Sequence, residues 1–172
     1  MKKLFTLAFI MVATLATSNL FAQAGFKLGL AAEGALPLGT LKSAYNIGAG
    51  LTIRAAFGLN EKSAITLTSG AIAFLPKDFS DIDLDTKAQL NIPVKAGYKY
   101  MLTSNLYAIG EAGMTIVRSY YGDENGDLQS VSSSHFTYAP GIGVQLGGFD
   151  ASIRYEGYQG QGFMGLRVGF NF

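Results

Sequence analysis

The chain has 172 residues, with 13 Lys and Arg against 12 Asp and Glu, a near balance that leaves no basic footprint for nucleic acid. It has no Cys, which excludes a disulfide framework, a lipidated cysteine and a Cys nucleophile. It has no Trp but 22 Gly, a content that weakens an ordinary soluble sheet yet suits a small tilted barrel whose interior is narrow.

The first element is an address. Lys2-Lys3 is a basic n-region, Leu4 to Leu15 is apolar apart from Thr6 and Thr14, and Ala22-Gln23-Ala24 is a small-x-small cleavage site. A cut after Ala22 is the close alternative. The apolar run is shorter than the ~20 residues a spanning helix needs, so residues 1–24 are read as a cleaved signal peptide. Without Lys2 and Lys3 the basic residues number 11 against 12 acidic, which puts the mature chain, residues 25–172, near −1. Its length suits one domain.

Eight runs of period-two alternation follow, and in each the parity assigns a face. From Gly25 to Leu36, Phe26, Leu28, Leu30 and Ala32 oppose Lys27, Gly29, Ala31 and Glu33. From Asn46 to Leu59, Ile47, Leu51, Ile53 and Phe57 oppose Gly48, Gly50, Thr52 and Arg54. From Ser63 to Leu75, Ile65, Leu67, Ala71 and Ala73 oppose Thr66, Thr68 and Gly70, with Ser69 and Ile72 blurring the pattern. The fourth run is the clearest: Leu90, Ile92, Val94, Ala96, Tyr98 and Tyr100 alternate with Gln89, Asn91, Pro93, Lys95, Gly97 and Lys99. The fifth, Leu106 to Tyr121, sets Ala112, Met114 and Ile116 against Glu111, Gly113 and Thr115. The sixth, Ser133 to Leu146, sets Phe136, Tyr138, Ile142 and Val144 against Thr137, Gly141, Gly143 and Gln145. The seventh, Phe149 to Tyr158, sets Ala151, Ile153 and Tyr155 against Asp150, Ser152, Arg154 and Glu156. The last sets Met164, Leu166, Val168, Phe170 and Phe172 against Phe163, Gly165, Arg167 and Asn171. Pro93 and Pro140 lie inside these runs, and bulges are expected there because a closed barrel offers no free edge to a residue without an N–H.

Connections alternate in length. Asn60-Glu61-Lys62, Thr103-Ser104-Asn105 and Gly147-Gly148 are tight turns, whereas Leu38 to Tyr45, Pro76 to Asp85, Gly122 to Ser132 and the shorter Tyr158 to Gly162 are read as loops. An even number of strands, short periplasmic turns and longer outer loops define an eight-stranded antiparallel up-and-down transmembrane β-barrel, all-β, with a greasy exterior. A soluble barrel of the lipocalin kind would place its charges outside and its apolar residues inside.

The charges of inward parity are Lys27, Glu33, Arg54, Lys95, Lys99, Glu111, Asp150, Arg154, Glu156 and Arg167. Eight strands enclose a space only wide enough for side chains, so these residues are expected to pair and plug the lumen. Lys95 and Glu111 stand at one height on neighbouring strands, and Arg154 and Arg167 approach one another with Glu156, Glu33 and Glu111 as counter-charges. The alternative is a small porin-like conduit for ions or solutes. Chemistry finds little support: any Ser/His arrangement must use His135, in Ser132-Ser-Ser-His135-Phe-Thr137, which is only weakly similar to the His-x-Ser of lipid A deacylase barrels. A lipid A-modifying enzyme is the remote alternative. Asp81, Asp83 and Asp85, with Asp123 and Asp127, make acidic outer loops; Asp123-Glu124-Asn125-Gly126-Asp127 starts like a calcium loop but lacks the downstream Glu, and no metal or cofactor is expected. Because Ile82 and Leu84 keep the parity of Leu90, the fourth strand is expected to begin near Asp81 and to rise with the fifth and sixth into a protruding sheet edge.

The segments Leu90-Asn-Ile-Pro-Val-Lys-Ala-Gly-Tyr-Lys-Tyr100, Leu106-Tyr-Ala-Ile-Gly-Glu-Ala-Gly113 and Leu166-Arg-Val-Gly-Phe-Asn-Phe172 resemble the outer membrane protein beta-barrel domain family, the small OmpX/OmpA-like barrels of Gram-negative bacteria. The resemblance implies an integral outer-membrane protein, non-enzymatic, with a structural or surface-interaction role. Outer-membrane lipid and lipopolysaccharide, the outer-membrane assembly machinery and a monomeric state follow as expectations. No catalytic residues carry over.

Overall fold

In the computed structural model the described residues are 25–77, 89–122 and 128–172. They form β1 (Phe26–Gly39), a single helical turn α1 (Leu41–Ala44), β2 (Tyr45–Gly58), β3 (Ser63–Pro76), β4 (Gln89–Met101), β5 (Leu106–Gly122), β6 (Leu128–Leu146), β7 (Phe149–Tyr158) and β8 (Gln161–Asn171). Each strand pairs with its sequence neighbour, and β8 returns to β1, with Glu33 opposite Arg167, to close the barrel. Closure leaves the seam no free edge. The last residue takes part, since Leu28 and Phe172 exchange backbone hydrogen bonds of 3.2 and 2.8 Å.

The alternation of side chains turns the barrel inside out relative to a water-soluble one. Leu30, Leu51, Leu67, Val94, Ile142, Ile153 and Leu166 face outward and are exposed, while Thr52, Arg54, Thr68, Lys95, Thr115, Arg154 and Arg167 are buried in the lumen. A continuous apolar belt of this extent is far larger than the few hundred Å² that soluble monomers expose, and its compatible solvent is hydrocarbon. Among the described residues no helix is long and apolar enough to cross a membrane.

Two local expectations are corrected. Register runs unbroken through Pro93, opposite Thr115, and through Pro140, opposite Gly110, so neither proline makes a bulge. Instead, Pro93 sits where the β3–β4 ladder skips from Ser69–Val94 to Ile72–Asn91, and Pro140 where the β6–β7 ladder skips from Tyr138–Gly157 to Gly141–Arg154. A missing N–H costs the ladder one rung, and both strands continue in phase. The register shift lies between Tyr45 and Ile47, where the chain leaves α1 for β2. The connection read as a loop from Tyr158 to Gly162 is a two-residue hairpin, Gln159-Gly160, with φ of 45° and 74°, the double positive φ of a type I′ turn.

Strand lengths are unequal. β5 and β6 have 17 and 19 residues against 10 and 11 in β7 and β8. Their ladder continues to Gly122–Leu128, but the β6–β7 ladder stops at Tyr138–Gly157. The outermost stretch of β6, which starts five residues before Ser133, therefore has no strand neighbour on its β7 side among the described residues. Asp81, Asp83, Asp85, Asp123 and Asp127, and the expected start of β4 near Asp81, lie outside the described residues.

Candidate functional site: the lumen

Strand alternation delivers nine charged side chains to the barrel axis, and all are buried: Glu33, Arg54, Lys95, Lys99, Glu111, Asp150, Arg154, Glu156 and Arg167. Lys27, the tenth of inward parity, is the second residue of β1; it stands at the rim and is exposed.

The buried charges fall into two linked groups. In the first, Arg154 Nη1 donates to both oxygens of Glu33 at 2.7 and 2.6 Å, and its Nε donates to Glu156 Oε2 at 3.2 Å. Lys95 Nζ reaches the same Glu156 oxygen at 2.6 Å and Glu111 Oε2 at 3.5 Å. Lys95 and Glu111 are thus in ionic contact, but diagonally, since Gly113 and Gly97 are their register partners. In the second group three cations surround one carboxylate: Asp150 meets Arg167 Nη1 at 2.6 Å, Lys99 Nζ at 3.6 Å and Arg54 Nη1 at 4.0 Å. Arg54 Nη2 to Glu111 at 3.3 Å and Arg167 Nε to Glu33 at 3.9 Å tie the groups together. The closest counter-charge of Arg167 is Asp150, rather than the three glutamates expected from strand heights.

Neutral side chains complete the network. Thr52 donates to Glu33 at 2.9 Å, Thr68 to Glu111 at 2.6 Å and Tyr107 to Asp150 at 3.1 Å, while Lys99 donates to Gln145 at 2.6 Å and lies 3.8 Å from the Tyr107 ring centre. Thr52, Thr68, Tyr107 and Gln145 were not singled out from sequence as partners, although each has inward parity, which is the signal that could have found them. Five buried cations meet four buried carboxylates, and the guanidinium nitrogens Arg54 Nη1 and Nη2, Arg154 Nη2 and Arg167 Nη2 are buried with no hydrogen-bond acceptor, while Glu111 Oε2 is the one carboxylate oxygen buried with no hydrogen-bond donor among the described residues.

Toward the loop end the filling becomes apolar. Ala35, Leu41, Tyr45, Ile72, Phe74, Val117, Tyr158 and Phe163 form one buried cluster, with the Phe74 and Phe163 rings 5.3 Å apart edge to face. Ile72, ambiguous in the sequence, belongs here because residues of β3 that face inward continue past Thr68 to Ile72 and Phe74. Within it Tyr158 accepts from Gln89 at 3.3 Å and Asn91 at 3.1 Å, and its ring stacks on His135 with centroids 6.3 Å apart. His135 Nε2 is 2.9 Å from Ser133 Oγ, and no carboxylate orients the imidazole among the described contacts. Among the described residues no group of three His, Asp or Glu is placed to hold a metal ion.

The barrel is similar to Ail, the attachment invasion locus protein of Yersinia pestis, solved in complex with the heparin analogue sucrose octasulfate, at TM-score 0.60 and 15% identity over 86% of this chain and 96% of that one. The fold is that of the small eight-stranded outer-membrane barrels. The backbone of Ail in a phospholipid bilayer nanodisc aligns at TM-score 0.58 and 14% identity over 85% of this chain and 99% of Ail. Neisserial surface protein A aligns at TM-score 0.57 and 15% identity over 86% of this chain and 96% of its own. No protein family model matches the sequence, and no curated protein matches it.

Proposed function

We propose that this chain is an integral protein of the Gram-negative outer membrane, a monomeric barrel with a plugged lumen and a structural or surface-interaction role, and not an enzyme. The topology supports the placement: the three short turns and the C-terminal strand end face the periplasm, and the loop ends of the strands face outward, where lipopolysaccharide is the surrounding lipid.

The observation that carries the reading is the filled lumen. Nine buried charges and an apolar layer containing Phe74 and Phe163 occupy the axis one above the other, so a solute would have to break ion pairs and then displace packed rings. The outer stretch of β6, which has no strand neighbour on its β7 side among the described residues, supports the interaction role, because a free strand edge offers backbone N–H and C=O groups to an extended segment of a partner. Ail, solved with a sulfated ligand, and Neisserial surface protein A supply the same fold in surface proteins.

The test is conductance of the refolded protein in planar bilayers. A closed barrel gives no steady current; a sustained ohmic conductance would replace this reading with the porin-like conduit.

A further inference from the structure

At the turn end the barrel opens into a cavity of about 330 Å³. At ~30 Å³ per water it has room for a hydrated small ion. Lys27 of β1, Lys62 of the β2–β3 turn and Lys99 of β4 line it, with Glu61 as the one carboxylate of the wall and Ser63 and Gln145 as neutral polar groups. Lys27 forms no ion pair among the described residues.

The charge behind this wall is also unbalanced. Asp150 is shared by Lys99, Arg54 and Arg167, whereas Glu156 is taken by Arg154 and Lys95 deeper in the lumen, and Glu33 and Glu111 meet those two cations as well as Arg167 at 3.9 Å and Arg54 at 3.3 Å. Arg54 Nη1 and Nη2 and Arg167 Nη2, all in the Asp150 group, are buried without an acceptor. One end of the lumen therefore has positive charge and N–H donors beyond what the chain's own carboxylates take up. A concave wall of one sign bounded by low-dielectric protein focuses that potential into the cavity.

We propose that this cavity binds a small soluble oxyanion of the phosphate type, with Lys27 and Lys62 at the rim and Lys99 at the floor. The topology proposed above would place it in the periplasm, but the site itself stands on the cavity and its charges. The same phosphate chemistry occurs on lipid headgroups; a soluble source is favoured because every lining residue faces the lumen or lies in a turn or at a strand end beside the mouth.

The experiment titrates inorganic phosphate into the refolded protein in maltoside micelles, which contain no phosphate, at ionic strength held constant with chloride. Amide shifts of Lys27, Lys62 and Lys99 are followed by NMR. Saturable shifts at these residues are expected, with affinity weakened about tenfold or more in Lys27→Gln/Lys62→Gln, equivalent to roughly 1.4 kcal/mol. Both lysines are exposed, so the variant keeps the fold. Lys42→Gln/Lys77→Gln, at the loop end, leaves the affinity unchanged. Absence of saturable shifts, equal shifts with chloride alone, or equal affinity in the Lys27/Lys62 variant would overturn the site. A response only when phosphatidic acid is added to the micelles would overturn the soluble source.

Discussion

Arg154 of β7 grips Glu33 of β1 through a single nitrogen, Nη1, at 2.7 and 2.6 Å, across 121 positions of sequence and over the intervening strand β8. The same guanidinium holds Glu156 through Nε. One side chain thereby fastens the two sides of the closing seam.

Truncating that clamp leaves Glu33 with the Thr52 hydroxyl at 2.9 Å and Arg167 only at 3.9 Å. Arg154→Met should destabilise the barrel by about 3–5 kcal/mol, the usual loss when a buried pair is broken from one side. Adding Glu33→Gln should recover part of the loss, because the stranded carboxylate is then neutral. Urea titration in lipid vesicles measures both; strictly additive effects would show that the two groups do not interact.

Lys95 provides a finer comparison. Its contact with Glu156 is 2.6 Å and with Glu111 3.5 Å, while Glu111 also accepts from Thr68 and meets Arg54. In double-mutant cycles, Lys95→Met should couple more strongly to Glu156→Gln than to Glu111→Gln. The reverse order would mean that the diagonal neighbour dominates.

The lipid face is tested by charge. Val94 and Ile153 are outward and 56% and 45% exposed, so Val94→Arg and Ile153→Arg should each cost about 2–4 kcal/mol near the bilayer midplane. Val94→Leu and Ile153→Leu should stay within about 0.5 kcal/mol, as surface substitutions do. Folding titrations in vesicles decide it, and folded and boiled samples of the wild type should migrate differently on a detergent gel.

Two glycines of β5 separate interior from exterior. A Cβ at Gly113 would collide with the Val94 carbonyl oxygen and lie 2.8 Å from Lys95 Cα, whereas one at Gly110 meets nothing within 4 Å. Gly113→Ala should therefore cost about 1–3 kcal/mol by pushing β4 away, and Gly110→Ala should be near neutral. The same vesicle titration distinguishes them.

If the charge layer closes the lumen as proposed, the apolar layer should matter for stability and not for conductance. Phe74→Ala or Phe163→Ala should cost about 3–5 kcal/mol, and the pair should be less than additive because the rings pack on each other. Planar bilayers should still show no steady current, since Arg154, Arg167 and their carboxylates remain across the axis. A current in the double variant would assign closure to the rings.

The sequence by itself determined the strand count, the face of each side chain and the positions of the short turns, because a period of two is a local property of extended backbone and Asn60-Glu61-Lys62 or Gly147-Gly148 can do little but turn. It also brought Lys95 and Glu111 within reach, since neighbouring strands share a register that a hairpin fixes. Only the tertiary structure decided the contacts that cross the barrel: Arg154 with Glu33, Lys95 with Glu156, Arg54 with Asp150. Those pairs join strands by closure and tilt, and neither is written in any local alternation. The same holds for Pro93 and Pro140, whose missing N–H groups fall at skipped rungs that only the three-dimensional ladder reveals, and for Ile72 and Phe74, whose inward parity becomes a packed layer only when Phe163 meets them from the far end of the chain.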